Sequence, residues 1–130
     1  MQEQINYYSD KLKYEIDSWD LHNSLQNEAK IIVIDARSSE AYEIEHIPGA
    51  INVPHRTMNA IITQEFDTSY TYVTYCDGIG CNASTKGALL MTKLGFKTRE
   101  LLGGIDWWKR DGYETSGKNG TEASRIVCGC

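Results

Sequence analysis

The sequence predicts an α/β layer fold built around a mostly parallel sheet. Strand-like runs alternate along the chain with segments that have helical spacing. The run Lys30–Arg37 is continuously apolar until its charged end, which is typical of a strand buried on both faces. The β-branched and aromatic run 71–75 leads directly into a glycine-rich loop with two cysteines. At 130 residues, the chain is long enough for one domain with a single core.

The N-terminal part of the chain predicts two helical segments. A weak amphipathic pattern over residues 1–14 indicates either a docked helix or a frayed extension. Residues 17–25 then predict a capped helix, which we expect to bury Trp19, Leu21 and Leu25.

The remaining elements follow in regular alternation. In chain order they are the strand 30–37, a short helix at 38–45, a turn at 46–50, a short strand at 51–54, a helix at 57–63, the strand 71–75, a helix from about 83 to 94, a strand at 97–102 and a last helical turn at 105–110. Gly95 is expected to end the helix that begins near residue 83. Trp107 and Trp108 are expected to close the core. The Gly- and Ser-rich segment 116–130 predicts a flexible tail. The predicted organisation is therefore an N-terminal extension (1–14), one domain (15–115) and a tail (116–130).

Composition narrows the classes of function. The net charge of −5 argues against nucleic acid or an anionic membrane as a partner. No apolar stretch approaches the roughly 18 residues that span a bilayer, and the first residues lack the pattern of a signal peptide. We therefore expect a cytoplasmic protein, in which the four cysteines are thiols rather than a disulfide framework.

Cys76 stands where the strand 71–75 meets the loop, and it is the candidate nucleophile. A loop and a helix N-terminus that follow a strand can direct backbone N–H groups at such a sulfur, which lowers the pKa of a thiol and can hold an anion. The pair Ser84-Thr85 is a candidate cap for that helix. Gly78 and Gly80 are expected to supply backbone freedom, including positive φ.

Five separated segments form a recognisable set of motifs: Ile34-Asp35-Ala36-Arg37, Glu45-His46-Ile47-Pro48-Gly49-Ala50-Ile51-Asn52-Val53-Pro54, Val73-Thr74-Tyr75-Cys76, Leu94-Gly95-Phe96 and Leu101-Leu102-Gly103-Gly104-Ile105-Asp106-Trp107-Trp108. In this order and spacing, over about residues 15–113, the chain resembles the single-domain rhodaneses, a sulfurtransferase family. The resemblance implies a three-layer fold with a five-stranded parallel sheet flanked by helices. It also implies an activity: Cys76 takes a sulfane sulfur from a small donor, forms a persulfide and passes the sulfur to cyanide, a thiol or a sulfur-carrier protein. No cofactor and no metal are implied.

The loop departs from the pattern of that family. It is about two residues longer than expected, and residues 77–83 contain no cation. Asp77 adds a negative charge beside the thiol, which opposes thiolate formation and repels thiosulfate. The expected donors are thiosulfate, a polysulfide or a persulfide, and the loop accommodates a polysulfide, a protein persulfide or another donor with a neutral end more easily than thiosulfate. Related phosphatases need an arginine six residues after the cysteine, where this chain has Asn82, so phosphatase activity is not expected.

The second loop cysteine leaves an alternative open. Cys81 either resolves a Cys76 persulfide or sulfenate through a loop disulfide, or fills space in the loop. The first option would support thiol–disulfide redox or reductase activity in place of sulfur transfer. A third class is a non-catalytic binding module, which the presence of Cys76 disfavours. The substrate loop is residues Asp77, Gly78, Ile79, Gly80 and Cys81.

Four further side chains are candidates for support or binding. Asp35 and Arg37 follow a strand and are expected to brace the neighbouring loops, and His46 is expected to be a hydrogen-bonded turn residue rather than a base. Arg56, next to His55, is the candidate substrate cation.

Two more cysteines, Cys128 and Cys130, stand at the chain end. They could form a mobile dithiol or have no role. Zinc is disfavoured because their spacing differs from paired CxxC motifs.

Overall fold

A computed structural model describes residues 1–123, which form a five-stranded, entirely parallel sheet with helices on both faces. The strands are β1 (Glu15–Ile16), β2 (Ile31–Asp35), β3 (Ile51–Asn52), β4 (Thr71–Tyr75) and β5 (Lys97–Leu101). The helices are α1 (Gln2–Tyr14), α2 (Ser18–Gln26), α3 (Ser39–Ile44), α4 (Ala83–Lys93) and α5 (Gly104–Arg110), with a short 3₁₀ helix at His55–Thr57. The strand order is β1-β5-β4-β2-β3, which confirms the predicted α/β class and the five-stranded parallel sheet.

The central strand β4 places the candidate nucleophile. It pairs with β2 on one side and with β5 on the other, so that Val73 lies opposite Val33 and Arg99. Its last four residues are buried. A strand that is covered by helices on both faces has a continuous apolar run and no polar–apolar alternation. Strands β2 and β4 could be predicted because their sequences contain such runs.

Side chains that alternate along β2 and β4 divide the core into two clusters, one on each face of the sheet. One cluster contains Leu21 of α2 and Trp108 of α5. The other contains Tyr72 and Met91, and Met91 comes from α4. The predicted three-layer arrangement is therefore present.

The edge strand β1 was not predicted from the sequence. It consists of two residues, Glu15 and Ile16, which pair with Glu100 and Leu101 of β5. Two residues are too few to show a period, so only the pairing with β5 identifies them as a strand.

The helix predicted at 57–63 is wrong. Only His55–Thr57 is helical there, as a 3₁₀ turn, and turns follow. The Asn59 side chain accepts hydrogen bonds from the amides of Ile61 and Ile62 at 2.9 Å each. An asparagine that bonds its own following backbone favours a turn over a continuing helix.

Two tryptophans expected in the core are exposed instead. Trp19 is 47% exposed and Trp107 is 43% exposed, whereas Trp108 and Leu21 are buried as predicted. The Trp107 ring covers Gly103, whose Cβ, if it were present, would lie 2.1 Å from the ring. Trp107 thus packs on backbone at the surface.

The two ends of the described chain are both attached to the domain. Helix α1 buries no residue, but Arg99 of β5 donates a hydrogen bond to the carbonyl of Leu12 at 3.0 Å. Beyond the predicted boundary at 115, Ser116 pairs with His46, and Lys118 donates to the carbonyl of Glu43. The predicted domain boundaries stay a prediction, and residues 124–130, with Cys128 and Cys130, lie outside the described residues. Within residues 1–123, no helix combines the length and the apolar character needed to cross a bilayer.

Candidate active site

Cys76 directly follows β4, at the carboxyl edge of the sheet, and it is 2% exposed. Ligand sites of open α/β sheets lie at this edge, because the loops that follow parallel strands converge there. The cysteine is thus located where the sequence placed it.

The start of helix α5 holds the backbone of Cys76 and its neighbour. The amide of Ile105 donates to the carbonyl of Cys76 at 3.0 Å, and the amide of Asp106 donates to the carbonyl of Asp77 at 2.9 Å. Gly104 has φ +59, and a Cβ at this position would lie 2.3 Å from the Cys76 carbonyl oxygen. This close contact was not predicted from the sequence, although the pair Gly103-Gly104 was a visible signal for it.

Cys76 and Cys81 are joined by a disulfide, with their Cα atoms 6.2 Å apart. A turn brings Cys81 back, since its amide donates to the carbonyl of Gly78 at 3.2 Å. The disulfide was left open by the sequence, and it differs from the expectation that all four cysteines are thiols. It closes one loop and does not link separate parts of the domain, so it is not a scaffold disulfide.

The two glycines of the loop have a different role from the predicted one. Neither Gly78 nor Gly80 has a positive φ. The absence of a side chain at Gly78 leaves room for Asp106, because a Cβ on Gly78 would be 3.2 Å from the Cβ of Asp106. Gly80 faces open space. Within residues 1–123, the amides of Gly78, Ile79 and Gly80 have no protein acceptor.

Helix α4 begins without a side-chain cap. Its N-cap residue is Asn82, whose side chain makes no capping hydrogen bond. The predicted cap by Ser84 and Thr85 is wrong, because both hydroxyls donate to the carboxylate of Glu100 at 2.6 Å. The first amides of α4 therefore lack a side-chain acceptor, next to the loop that carries both cysteines.

A buried ion pair lies behind the loop. The Asp35 carboxylate is fully buried and accepts hydrogen bonds from the Arg37 side chain, the shortest at 2.8 Å, and from the Tyr75 hydroxyl at 2.7 Å. Burial disfavours the charged guanidinium, but the hydrogen bonds and the charge of Asp35 outweigh it and raise the pKa of Arg37. Burial, followed by the charge of Asp35, raises the pKa of Tyr75, so this hydroxyl stays protonated and donates.

Arg37 also reaches the active loop. Its guanidinium donates to Asp77 at 3.1 Å and to the carbonyl of Glu45 at 2.6 Å. The side chain of Asp77 is 72% exposed. Because Arg37 also pairs with Asp35, one guanidinium is shared by two carboxylates, and the repulsion of anions expected from Asp77 is reduced but not cancelled. The sequence predicted only a bracing role for Arg37, because its contact with Asp77, 40 positions away, depends on the fold.

A cleft of about 530 Å³ connects the two cysteines to the loop that follows β3. Its lining includes Cys76, Cys81, Arg37 and Arg56, so the candidate cation lies in the same cleft as the candidate nucleophile. Burial and then the charges of Lys86 and Arg56 lower the pKa of His55, which also lines the cleft. His55 is therefore neutral at pH 7, and the positive charge of this wall comes from Arg56, with Lys86 nearby.

His46 does not line the cleft. Its Nδ1 lies 2.7 Å from the carbonyl of Tyr42, and the two rings stack with centroids 3.8 Å apart. Its backbone pairs with Ser116. This placement agrees with a turn residue, as the sequence suggested.

Comparison with known proteins identifies the family. A family model described as "Rhodanese-like domain" matches residues 18–111, most of the chain. The chain belongs to the rhodanese-like domain family. The match agrees with the resemblance that the motifs gave.

Three relatives illustrate this rhodanese-like domain. The BH2092 protein of Bacillus halodurans has a crystal structure with 36% identity and a TM-score of 0.88, over 98% of this chain and 94% of that one. The rhodanese-like domain of the Anabaena protein Alr3790 shares the fold, with a TM-score of 0.72 at 24% identity, over 88% of this chain and 91% of that one. The adenylyltransferase and sulfurtransferase UBA4 of Candida albicans is 32% identical over 108 residues, which cover 76% of this chain and 24% of that protein. This chain thus spans about a quarter of the length of that curated relative.

Proposed function

We propose that the protein is a sulfurtransferase that carries sulfane sulfur as a persulfide on Cys76. The observation that carries this proposal is the position of Cys76: it follows the central strand and lines one cleft with Arg37 and Arg56. The amides of Gly78, Ile79 and Gly80 are available in the same loop. These groups favour a thiolate and a persulfide anion. The sulfurtransferase relative described above supports the same activity.

The reaction begins from the reduced loop, because a disulfide sulfur is not a nucleophile. The Cys76 thiolate attacks the outer sulfur of the donor, forms a bond from its Sγ to that sulfur, and expels the rest of the donor with the bonding pair. The leaving group is sulfite from thiosulfate, or a thiolate from a persulfide. An acceptor thiolate then attacks the terminal sulfur and displaces the Cys76 thiolate. A reducing compartment such as the cytoplasm, which we propose from the sequence, would keep the loop in the dithiol form.

A matched pair of cysteine variants tests the nucleophile. Cys76→Ser removes both the nucleophile and the disulfide, whereas Cys81→Ser removes the disulfide and leaves the nucleophile. We expect at least a hundredfold loss of sulfur transfer from thiosulfate or polysulfide to cyanide for Cys76→Ser, because the serine hydroxyl is a far weaker nucleophile at neutral pH. Cys81→Ser should retain a measurable part of the rate. Equal activity of the wild type and Cys76→Ser would contradict the proposal and favour a non-catalytic binding module.

The charges of the cleft decide which donors enter it. Arg56 lines the cleft, and Arg56 and Lys86 place positive charge near His55, so this side of the cleft can attract an anionic sulfur donor. This observation weakens the argument against thiosulfate that the loop sequence alone gave. Donors with an anionic end therefore join polysulfides and persulfides as expected substrates.

The exposed Arg56 allows a test of donor binding. We expect Arg56→Ala to raise the KM for thiosulfate several-fold with a smaller change in kcat, because the side chain adds attraction to an anion and no chemistry. The control is Lys97→Ala, which removes the same charge from the start of β5, at the opposite edge of the sheet. An equal KM for Arg56→Ala and Lys97→Ala would show that Arg56 does not bind the donor. Steady-state kinetics at two salt concentrations measure both effects.

The disulfide favours a second candidate function, thiol–disulfide exchange with an external substrate. Cys76 and Cys81 would then cycle between the dithiol and the disulfide without a persulfide. The discriminating measurement is the reduction of a model disulfide in the absence of any sulfane sulfur. Turnover there, together with no transfer from thiosulfate or polysulfide, would favour the redox function.

A further inference from the structure

The loop between β4 and α4 is built from a fixed part and a part with few contacts. Cys76 is held by the strand before it and by the amide of Ile105, which donates to its carbonyl at 3.0 Å. Cys81 is only partly buried and belongs to a turn. The residues between them make few contacts: a Cβ on Gly80 would meet no atom within 4 Å, and Ile79 is 79% exposed. The helix beyond the turn is buried again from Ala83, so the part of the loop with few contacts is about residues 79–82.

We propose that Cys81 attacks the persulfide of Cys76 and releases its outer sulfur as sulfide, which makes the protein a persulfide reductase when no acceptor is bound. This inference rests on the proposed function, because it needs the Cys76 persulfide. It adds a second fate for the sulfur, release as hydrosulfide in place of transfer.

The step is balanced within the protein. The Cys81 thiolate attacks Sγ of Cys76, and an Sγ–Sγ bond forms while the bond from Cys76 Sγ to the outer sulfur breaks. The outer sulfur takes up a proton from water and leaves with the bonding pair as hydrosulfide. The outer sulfur is reduced, and the two cysteines are oxidised together to the disulfide. A dithiol reductant then restores both thiols by exchange.

The geometry of the loop supports this step. The Cα atoms of the two cysteines are 6.2 Å apart, within the ~4.4–6.8 Å that a disulfide requires. Both cysteines line the same cleft as Arg56, which can attract the departing anion. Because Cys81 belongs to the same loop, its attack is intramolecular and does not depend on the concentration of an acceptor. The fate of the sulfur is thus set by competition: a bound acceptor takes it, and an empty cleft releases it.

The test follows one turnover in the full-length chain. Cys128→Ser and Cys130→Ser provide the background, so that only the two loop cysteines remain. The reduced protein, with and without Cys81→Ser, is freed of reductant and mixed with thiosulfate. The leaving group of thiosulfate is sulfite, so any free sulfide must come from the persulfide. Inorganic polysulfide serves as a second donor, for which only the protein mass is measured. Free sulfide and the intact mass are measured before any thiol is added.

The expected result differs between the two chains. With Cys81 present, each chain should release about one sulfide per Cys76 and end with the mass of the disulfide, two hydrogen atoms below the reduced form. With Cys81→Ser, the chain should keep one added sulfur atom and release it as sulfide only after a thiol is added. Cys81→Ala checks that the result does not depend on serine, and thermal unfolding checks that both variants are folded.

Two outcomes would overturn the inference. If the chains with and without Cys81 both retain the added sulfur, Cys81 is not a resolving thiol, and the proposed sulfur transfer stands. If neither chain gains sulfur from either donor while both remain folded, the persulfide does not form, and the proposed function fails together with this inference.

Discussion

Arg37 connects the buried interior to the active loop through a single side chain. It pairs with Asp35, which is fully buried, and with Asp77, which is exposed. These two ion pairs should differ in energy, because breaking a buried pair leaves an unpaired charge out of water, whereas an exposed pair is weakened by solvent.

Two substitutions separate the two pairs. We expect Arg37→Leu to lower the free energy of unfolding by about 3 kcal/mol or more, since the Asp35 carboxylate would remain buried without its cation. Asp77→Asn removes the exposed partner alone and should cost less than about 1 kcal/mol. Urea denaturation measures both values. A cost for Arg37→Leu as small as that for Asp77→Asn would mean that Asp35 becomes protonated or hydrated at little cost.

At the scale of elements, the first turn of α5 is the support for the active loop. Its amides hold the carbonyls of Cys76 and Asp77, and this is possible because Gly104 has no Cβ. Helix α5 thereby fixes the strand end from which the reactive sulfur extends, although none of its side chains takes part in the proposed chemistry.

A glycine pair in this region gives a sharp test. We expect Gly104→Ala to lower the free energy of unfolding by about 1–3 kcal/mol and to impair sulfur transfer, because the new methyl group would meet the Cys76 carbonyl and φ is +59. Gly80→Ala is the matched control, since its methyl group meets open space within the same loop. Activity and thermal unfolding of the two variants would be compared. Similar behaviour of both would show that α5 can move away from the loop without consequence.

The elements that were predicted correctly are those with a local pattern. The apolar strand β2 and the capped helix α2, with the Asp17 carboxylate accepting from the amide of Asp20 at 2.8 Å, follow from short stretches of sequence. The edge strand β1 and the contact of Arg37 with Asp77 depend on residues far away in the chain, so no local pattern could reveal them. The turn at Asn59 was missed because apolar spacing at Met58, Ile61 and Ile62 suggested a helix, while the asparagine side chain decided the local structure.

At the scale of the whole molecule, Glu45 connects three separate parts of the chain. Its carboxylate accepts a hydrogen bond from Lys109 of α5 at 2.7 Å and one from Thr115 at 2.6 Å. Burial raises the pKa of this carboxyl, but the contacts with Lys109 and Thr115 outweigh burial, and the net effect is a lowered pKa. A carboxyl whose pKa is lower in the folded state stabilises the fold above its unfolded pKa, and that contribution is lost as pH falls through the folded value.

The pH dependence of stability follows from the lowered pKa of Glu45. We expect the free energy of unfolding to decline as pH drops below about 4.5, the ordinary value for a glutamate. Glu45→Gln should be less stable than the wild type at neutral pH, and its free energy of unfolding should decline less in acid. The control is Glu65→Gln at an exposed position, whose stability should follow that of the wild type at every pH. Urea denaturation over a series of pH values measures the three curves. A Glu45→Gln curve parallel to the wild type would exclude Glu45 as the source.

The strand order has a consequence for the synthesis of the chain. Because β1 pairs with β5, residues 15 and 100 must meet before the sheet is complete, and α5 follows β5 in sequence. Pairings between distant residues form late and slow the folding of a domain. During translation, Cys76 would therefore leave the ribosome well before the segment that supports it, and the nascent thiol would be open to oxidants until α5 docks. Sulfur loading should accordingly be a property of the finished chain and not of its ribosome-bound precursor.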